Sequence, residues 1–276
     1  MKPWQLAICL LFASGAGIAE AAGSLPSCYH AKLPVVDSTP ETEIFVVIDQ
    51  TTVFDNSLKQ SIANNLRPFL GANNAFSVIR FSAYTQGQYT EVLASATLDP
   101  LINQAARNDI SKPVLAKFDQ CIAQQPKQAS QLAGAALKSA FGGSSTNISK
   151  SDVIGSLKDI SSRVRQSSAH QKVVLIASDM LENSSVTSFY ANQAVRTIQP
   201  EKELGLVEKN QLFGDFSGAR VYVIGAGLLA DDAKTKAVYR SPQTMQELGG
   251  FWKQYFQRSN AHLLEFGQPA LLNPVR

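Results

Sequence analysis

The sequence predicts an α/β protein, with a doubly wound, mostly parallel sheet and one antiparallel strand at an edge. Three observations predict it. Glu43-Ile44-Phe45-Val46-Val47-Ile48-Asp49 and Lys172-Val173-Val174-Leu175-Ile176-Ala177-Ser178-Asp179 are apolar, β-branched runs of the kind that form strands buried on both faces. Between such runs lie stretches with apolar residues at helical spacing, the strand and crossover-helix alternation of a parallel sheet. Phe76–Phe81 and Tyr89–Leu93 flank the polar turn Gln86-Gly87-Gln88, which reads as an antiparallel hairpin at one edge.

The elements follow in order. Lys2, the apolar stretch Leu6–Ile18 and the small-residue site Ala19-Glu20-Ala21 read as a secretory signal peptide over 1–21, so the mature chain is expected to start at Ala22. Its apolar core is shorter than the roughly 20 residues a spanning helix needs, and no later segment is long enough to cross a bilayer. Residues 22–42, with Pro26, Pro34 and Pro40, read as an extended N-terminal segment leading to a domain over 43–266. Asp55 is the expected N-cap of a helix carrying Leu58, Ile62 and Leu66 and closed by Pro68. The stretch of about 99–127, with Pro100, Pro113 and Pro126, is expected to be a partly helical insertion. A small-residue helix then follows through Ala129, Leu132, Ala136 and Leu137, to end at Gly142-Gly143. Ile154, Leu157, Ile160 and Val164 mark the helix before the second buried run. Arg220–Ile224 is a further strand, Ser241-Pro242 opens a helix carrying Met245, Leu248, Phe251, Trp252 and Tyr255, and His262–Phe266 is the last strand, before a tail over 267–276.

Both long buried runs end in an aspartate, which places Asp49 and Asp179 in the crevice outside the carboxyl ends of parallel strands, where ligands of open α/β sheets gather. Thr51 follows Asp49, and the loop Gly142-Gly143-Ser144-Ser145-Thr146-Asn147-Ile148 offers more hydroxyls. Carboxylates with hydroxyls and no thiol or imidazole form a hard oxygen set, suited to Mg2+, Mn2+ or Ca2+ rather than zinc.

At these residues the chain resembles the von Willebrand factor A domain family, whose fold is Rossmann-like with an antiparallel edge strand. The resemblance implies a metal-ion-dependent adhesion site, with Asp49 as its first aspartate, Thr51 in place of its first serine, Thr146 as its threonine and Asp179 as its last aspartate. Val53 stands where the second serine belongs, and Met180 replaces the glycine that commonly follows the final aspartate. The implied role is binding without catalysis: a protein partner presents an Asp or Glu side chain to the ion. The alternative is a metal-free scaffold of the same shape in which both aspartates cap helices.

Composition narrows the classes further. The net charge of +3 is spread along the chain, leaving no basic footprint for nucleic acid. Of the three cysteines, Cys9 leaves with the signal peptide; Cys28 and Cys121 remain as an even pair in an exported protein, and a disulfide between them is expected rather than two free thiols. Export and a binding fold together point to a periplasmic or secreted protein that serves an envelope assembly. Gly225-Ala226-Gly227, directly after a strand, is a weak variant of a dinucleotide fingerprint; turn glycines are the ordinary reading, and Asp231 and Asp232 would repel phosphate. Gly214-Asp215-Phe216-Ser217-Gly218 lacks nucleophile-elbow spacing, and His30, His170 and His262 are isolated in sequence.

Overall fold

A computed structural model describes residues 25–34, 36–82, 90–144, 151–191, 194–228 and 241–276. The predicted signal peptide lies outside them. The chain runs β1 (Thr42–Asp49), α1 (Asn56–Leu66), β2 (Asn74–Phe81), β3 (Thr90–Thr97), α2 (Gln104–Arg107), α3 (Lys112–Gly142), α4 (Val153–Gln166) and β4 (Gln171–Ala177). It continues through the short pair β5 (Tyr190–Ala191) and β6 (Ala194–Val195), then α5 (Pro200–Lys209), β7 (Ala219–Ile224), α6 (Pro242–Arg258) and β8 (Ala261–Phe266). The main sheet has the order β3-β2-β1-β4-β7-β8. All its pairings are parallel except β2 with β3, so the antiparallel edge is where the hairpin reading put it.

Alternation along the central strands explains why helices cover both faces. Phe45, Val47, Val174, Ile176, Val221 and Val223 pack with α4 and α6 on one side. Ile44, Val46, Ile48, Val173 and Leu175 pack with α1 and α3 on the other. The helix starts follow ordinary capping chemistry: Asp55 accepts the Leu58 amide at 2.8 Å and Ser241 accepts the Thr244 amide at 3.1 Å.

Two expectations about boundaries are corrected. The insertion does not end near 127; Lys112–Gly142 is one helix of 31 residues with Pro126 inside it. Pro126 has no N–H to donate, but Phe118, Gln125, Ala129, Ala133, Ala136, Leu137 and Ala140 form one buried stripe, and its packing outweighs the lost bond. The C-terminal residues are docked rather than trailing. Gly225 and Ala226 donate their amides to Pro269 and Gly267 at 2.7 and 3.1 Å, and buried Val275 donates to the Asn65 side chain at 2.9 Å.

The N-terminal segment and the α2–α3 region share a small core of their own: Cys28, Leu33, Ile102 and Phe118. The expected disulfide joins Cys28 to Cys121 across 93 residues of sequence. Asp99 organises the polar side of this core, accepting the Cys28 amide at 2.6 Å and the Gln125 amide group at 2.9 Å. No helix among the described residues is long and apolar enough to cross a membrane.

Candidate functional site

Asp49 is the last residue of β1, and Asp179 lies two residues beyond the end of neighbouring β4. Both are buried, at 0% and 8% exposure. The two carboxylates therefore come to one rim of the sheet, and the charge on Asp49 acts on Asp179. Thr146 lies outside the described residues.

Neither aspartate caps a helix. Asp49 Oδ1 accepts the Thr51 amide at 2.8 Å and the Thr51 hydroxyl at 2.6 Å, and its Oδ2 accepts the Ser178 hydroxyl at 2.7 Å. Asp179 Oδ1 accepts the Leu181 amide at 2.8 Å, folding its loop as Asp does in tight turns. The loops are laced together as well. The Asp179 amide donates to Thr52 Oγ1 at 3.2 Å, Gly227 donates to the Asp179 carbonyl at 2.9 Å, and Ser151 Oγ lies 3.1 Å from Thr51 Oγ1.

Met180, directly after Asp179, has a left-handed backbone that glycine adopts more readily, with φ of 59°. Such a conformation strains a side chain with a Cβ by roughly 1–3 kcal/mol, so the surroundings must hold it. They do: the Met180 carbonyl accepts the Trp252 indole N–H at 2.8 Å and its side chain is fully buried. Val53, by contrast, is 49% exposed and presents hydrocarbon.

Burial raises both carboxyls. Asp49 is pushed up by burial, against the opposing hydrogen bonds of Thr51 and Ser178. Asp179 is held well above the ordinary carboxylate range by burial first and by the charge of Asp49 second. Among the described residues no basic side chain forms an ion pair with either one. Two buried carboxylates with no basic partner need a proton or a cation, and the surrounding oxygens are of the hard kind that Mg2+, Mn2+ and Ca2+ prefer. The donor set fits such an ion, though with two carboxylates rather than three; the described residues hold no cluster of three acidic, His or Cys side chains.

Three further residues shape the site. Ser178 is the hydroxyl that holds Asp49 from across the sheet; its place beside Asp179 was the signal for it. Ser151 precedes α4 and meets Thr51. Glu182 is fully buried, and its Oε2 accepts the Ile154 amide at 2.8 Å at the start of α4. Of the hydroxyls that could replace the missing serine, Thr52 already accepts the Asp179 amide and Ser145 lies outside the described residues; Asp55, a source of further charge, is committed to its cap.

The rival sites read from the sequence fall elsewhere. A Cβ on Gly225 would meet the Phe54 ring at 2.7 Å and the Ser178 carbonyl at 3.0 Å, so these glycines serve a crowded turn and Phe54 fills the space beside them. His170 precedes β4 and His262 is the second residue of β8, at the opposite end of the sheet from Asp49 and Asp179. A cleft of about 440 Å³ near Tyr29, His30 and Leu33 is lined by Asp99, whose carboxylate is already bonded to Cys28 and Gln125.

No protein-family model matches the chain, and no curated protein matches it. Among solved structures, it is similar to an aerotolerance-related membrane protein from Bacteroides fragilis, crystallised with multiple substitutions to serine. The identity is 10% and the TM-score 0.34, with 82% of this chain and 92% of that one covered.

Proposed function

We propose that this chain is an exported protein-binding module without catalytic activity. Its binding surface is the rim at the carboxyl ends of β1 and β4, where Asp49, Thr51, Thr146 and Asp179 hold a divalent cation, Mg2+ or else Mn2+ or Ca2+. One observation carries the reading: two buried carboxylates end adjacent parallel strands, close enough for one charge to act on the other. When bound, the ion supplies positive charge and an open coordination position for an Asp or Glu side chain of a protein partner.

The chain's own residues prepare that surface. Ser178 and the Thr51 amide fix the Asp49 carboxylate in one orientation. Thr51 donates its hydroxyl proton to Asp49, which leaves the oxygen's lone pairs to accept. Exposed Val53 supplies no oxygen, which favours modest affinity for the ion. The disulfide supports export, since such bonds persist in oxidising compartments outside the cytosol. A periplasmic or secreted location and a partner in the cell envelope follow from that export.

Thermal melting in Mg2+, in Mn2+ and in chelator tests the reading, on the wild type and on Asp179→Ala. An ion at ten times its Kd stabilises the wild type by about 1.4 kcal/mol, a shift of roughly 3–6 °C for a domain of this size. The alanine variant shows no shift; in chelator it loses the Leu181 bond and sheds one buried carboxyl, so its response to the ions is read against its own baseline. A wild type indifferent to both ions overturns the cation and leaves a metal-free scaffold, in which the aspartates only brace their loops.

A further inference from the structure

The loop that carries Asp179 is fastened to the start of α4 by its backbone and by one side chain. Ser151 and Asn183 exchange backbone bonds of 3.2 and 2.8 Å in an isolated antiparallel bridge. Next to that bridge, Glu182 accepts the Ile154 amide with Oε2, and its own carbonyl accepts the Phe189 amide at 2.8 Å. Glu182 is fully buried, and Oε1 has no hydrogen-bond partner.

Burial and one acidic neighbour oppose a negative charge there, against the Ser184 hydroxyl and the Ile154 and Val153 amides. From α4 comes Asp152, the helix N-cap, bonded to the Gly155 amide at 2.8 Å and itself raised by burial and by Asp159. From α6 comes Tyr255, whose hydroxyl donates to the Leu212 carbonyl at 3.3 Å. From its own loop comes Ser184. No basic side chain forms an ion pair with Glu182 among the described residues. An ionised Glu182 would be a buried charge facing a second carboxylate, and the bonds from Ser184, Ile154 and Val153 offset that only in part. The neutral acid keeps the Ile154 bond through its carbonyl oxygen and leaves an uncharged hydroxyl unpaired among the described residues, a smaller cost than a buried charge.

We propose that Glu182 is a protonated clasp: as an uncharged acid it locks the Asp179 loop onto the first turn of α4, and its ionisation at alkaline pH loosens the rim. Burial pushes its carboxyl up to about 8, against the opposing pull of Ser184 and the Ile154 amide. The unfolded chain releases this proton near 4.5 and the folded chain near 8, so the stabilisation is full below 4.5, declines across that interval and is gone above 8. The clasp stands without a bound ion. Its consequence, that partner binding weakens as pH rises, rests on the function proposed above.

The test compares wild type, Glu182→Gln and Glu182→Ala in chelator from pH 5 to 9.5, by urea midpoints and by amide exchange protection at Ile154 and Phe189. Glutamine keeps an acceptor oxygen and has no proton to lose. Its midpoint is expected to match the wild type near pH 5 and to exceed it increasingly toward pH 8. Protection at Ile154 is expected to fall at least tenfold between pH 6 and pH 9 in the wild type and to stay level in the glutamine variant. Alanine, with no acceptor for Ile154, is expected to lose that protection at both pH values. A glutamine variant that follows the wild-type pH profile, or a wild type whose protection does not change, overturns the clasp. Mg2+ melts at pH 6 separate the two ideas: a missing ion shift beside an intact pH profile sinks the cation and spares the clasp, and the reverse pattern does the opposite.

Discussion

The two ends of the sheet treat their carboxylates in different ways. At the amino ends of the parallel strands, Asp99 accepts the Cys28 amide, the Ser27 hydroxyl and the Gln125 side chain, and a disulfide seals the small core beside it. At the carboxyl ends, Asp49 and Asp179 face each other without an ion-paired base, and Glu182 keeps an oxygen with no partner. Burial differs, since Asp99 is only half-buried while Asp49 and Asp179 are buried, and so do the partners. Glu203 is as buried as Asp179, yet Arg196 meets it at 2.8 Å and Thr187 at 2.7 Å. A buried carboxylate paired with a base is structural, whereas one buried without a base, even when hydroxyls and amides bond to it, is held ready for a proton, an ion or a partner.

That contrast breaks first at the amino end. Replacing Cys28 and Cys121 with Ser opens a long covalent loop and is expected to cost about 3 kcal/mol or more of stability, read as a lower urea midpoint. The Mg2+ response and the pH profile of the rim should survive, because neither depends on the staple. If they vanish with it, the two ends are not independent. Gln125→Ala is the next largest change. Gln125 is 2% exposed and satisfies the Asp99 amide, the Asp99 carboxylate and the Pro26 carbonyl together. Its loss is expected to cost about 2 kcal/mol, since buried partners are left unmet. The cost should not vary with pH between 6 and 9, in contrast to Glu182→Gln, whose advantage over the wild type grows as pH rises.

Much of the fold was legible because burial on both faces leaves a mark in the residues themselves. The runs ending at Asp49 and Asp179 could be nothing but inner parallel strands, and their ends located the rim. The continuity of α3 was not legible. Pro126 is a helix breaker by its own chemistry, and only the apolar stripe on either side of it, acting through packing, keeps the helix going. The left-handed turn at Met180 was hidden for a related reason: glycine would have advertised it, and methionine adopts it here while Trp252 holds its carbonyl. Glu182 could be noted as a nearby charge, but its clasp depends on the α4 amide and the α6 cover, which come from distant parts of the chain.

The smallest expected effect probes the rim most finely. Thr51→Val keeps the shape of the side chain and removes its hydroxyl, the donor 2.6 Å from Asp49 Oδ1. Asp49 retains the Thr51 amide and the Ser178 hydroxyl, so in chelator the variant should lose only about 1 kcal/mol, the net worth of one hydrogen bond. If Thr51 is also a ligand, the Mg2+-dependent shift in melting temperature should shrink or disappear. If it only orients Asp49, the shift should persist almost unchanged. Stability in chelator and response to the ion thus separate the two jobs that a single hydroxyl performs, and Val53, two residues on, shows that the loop already tolerates a valine where a hydroxyl was expected.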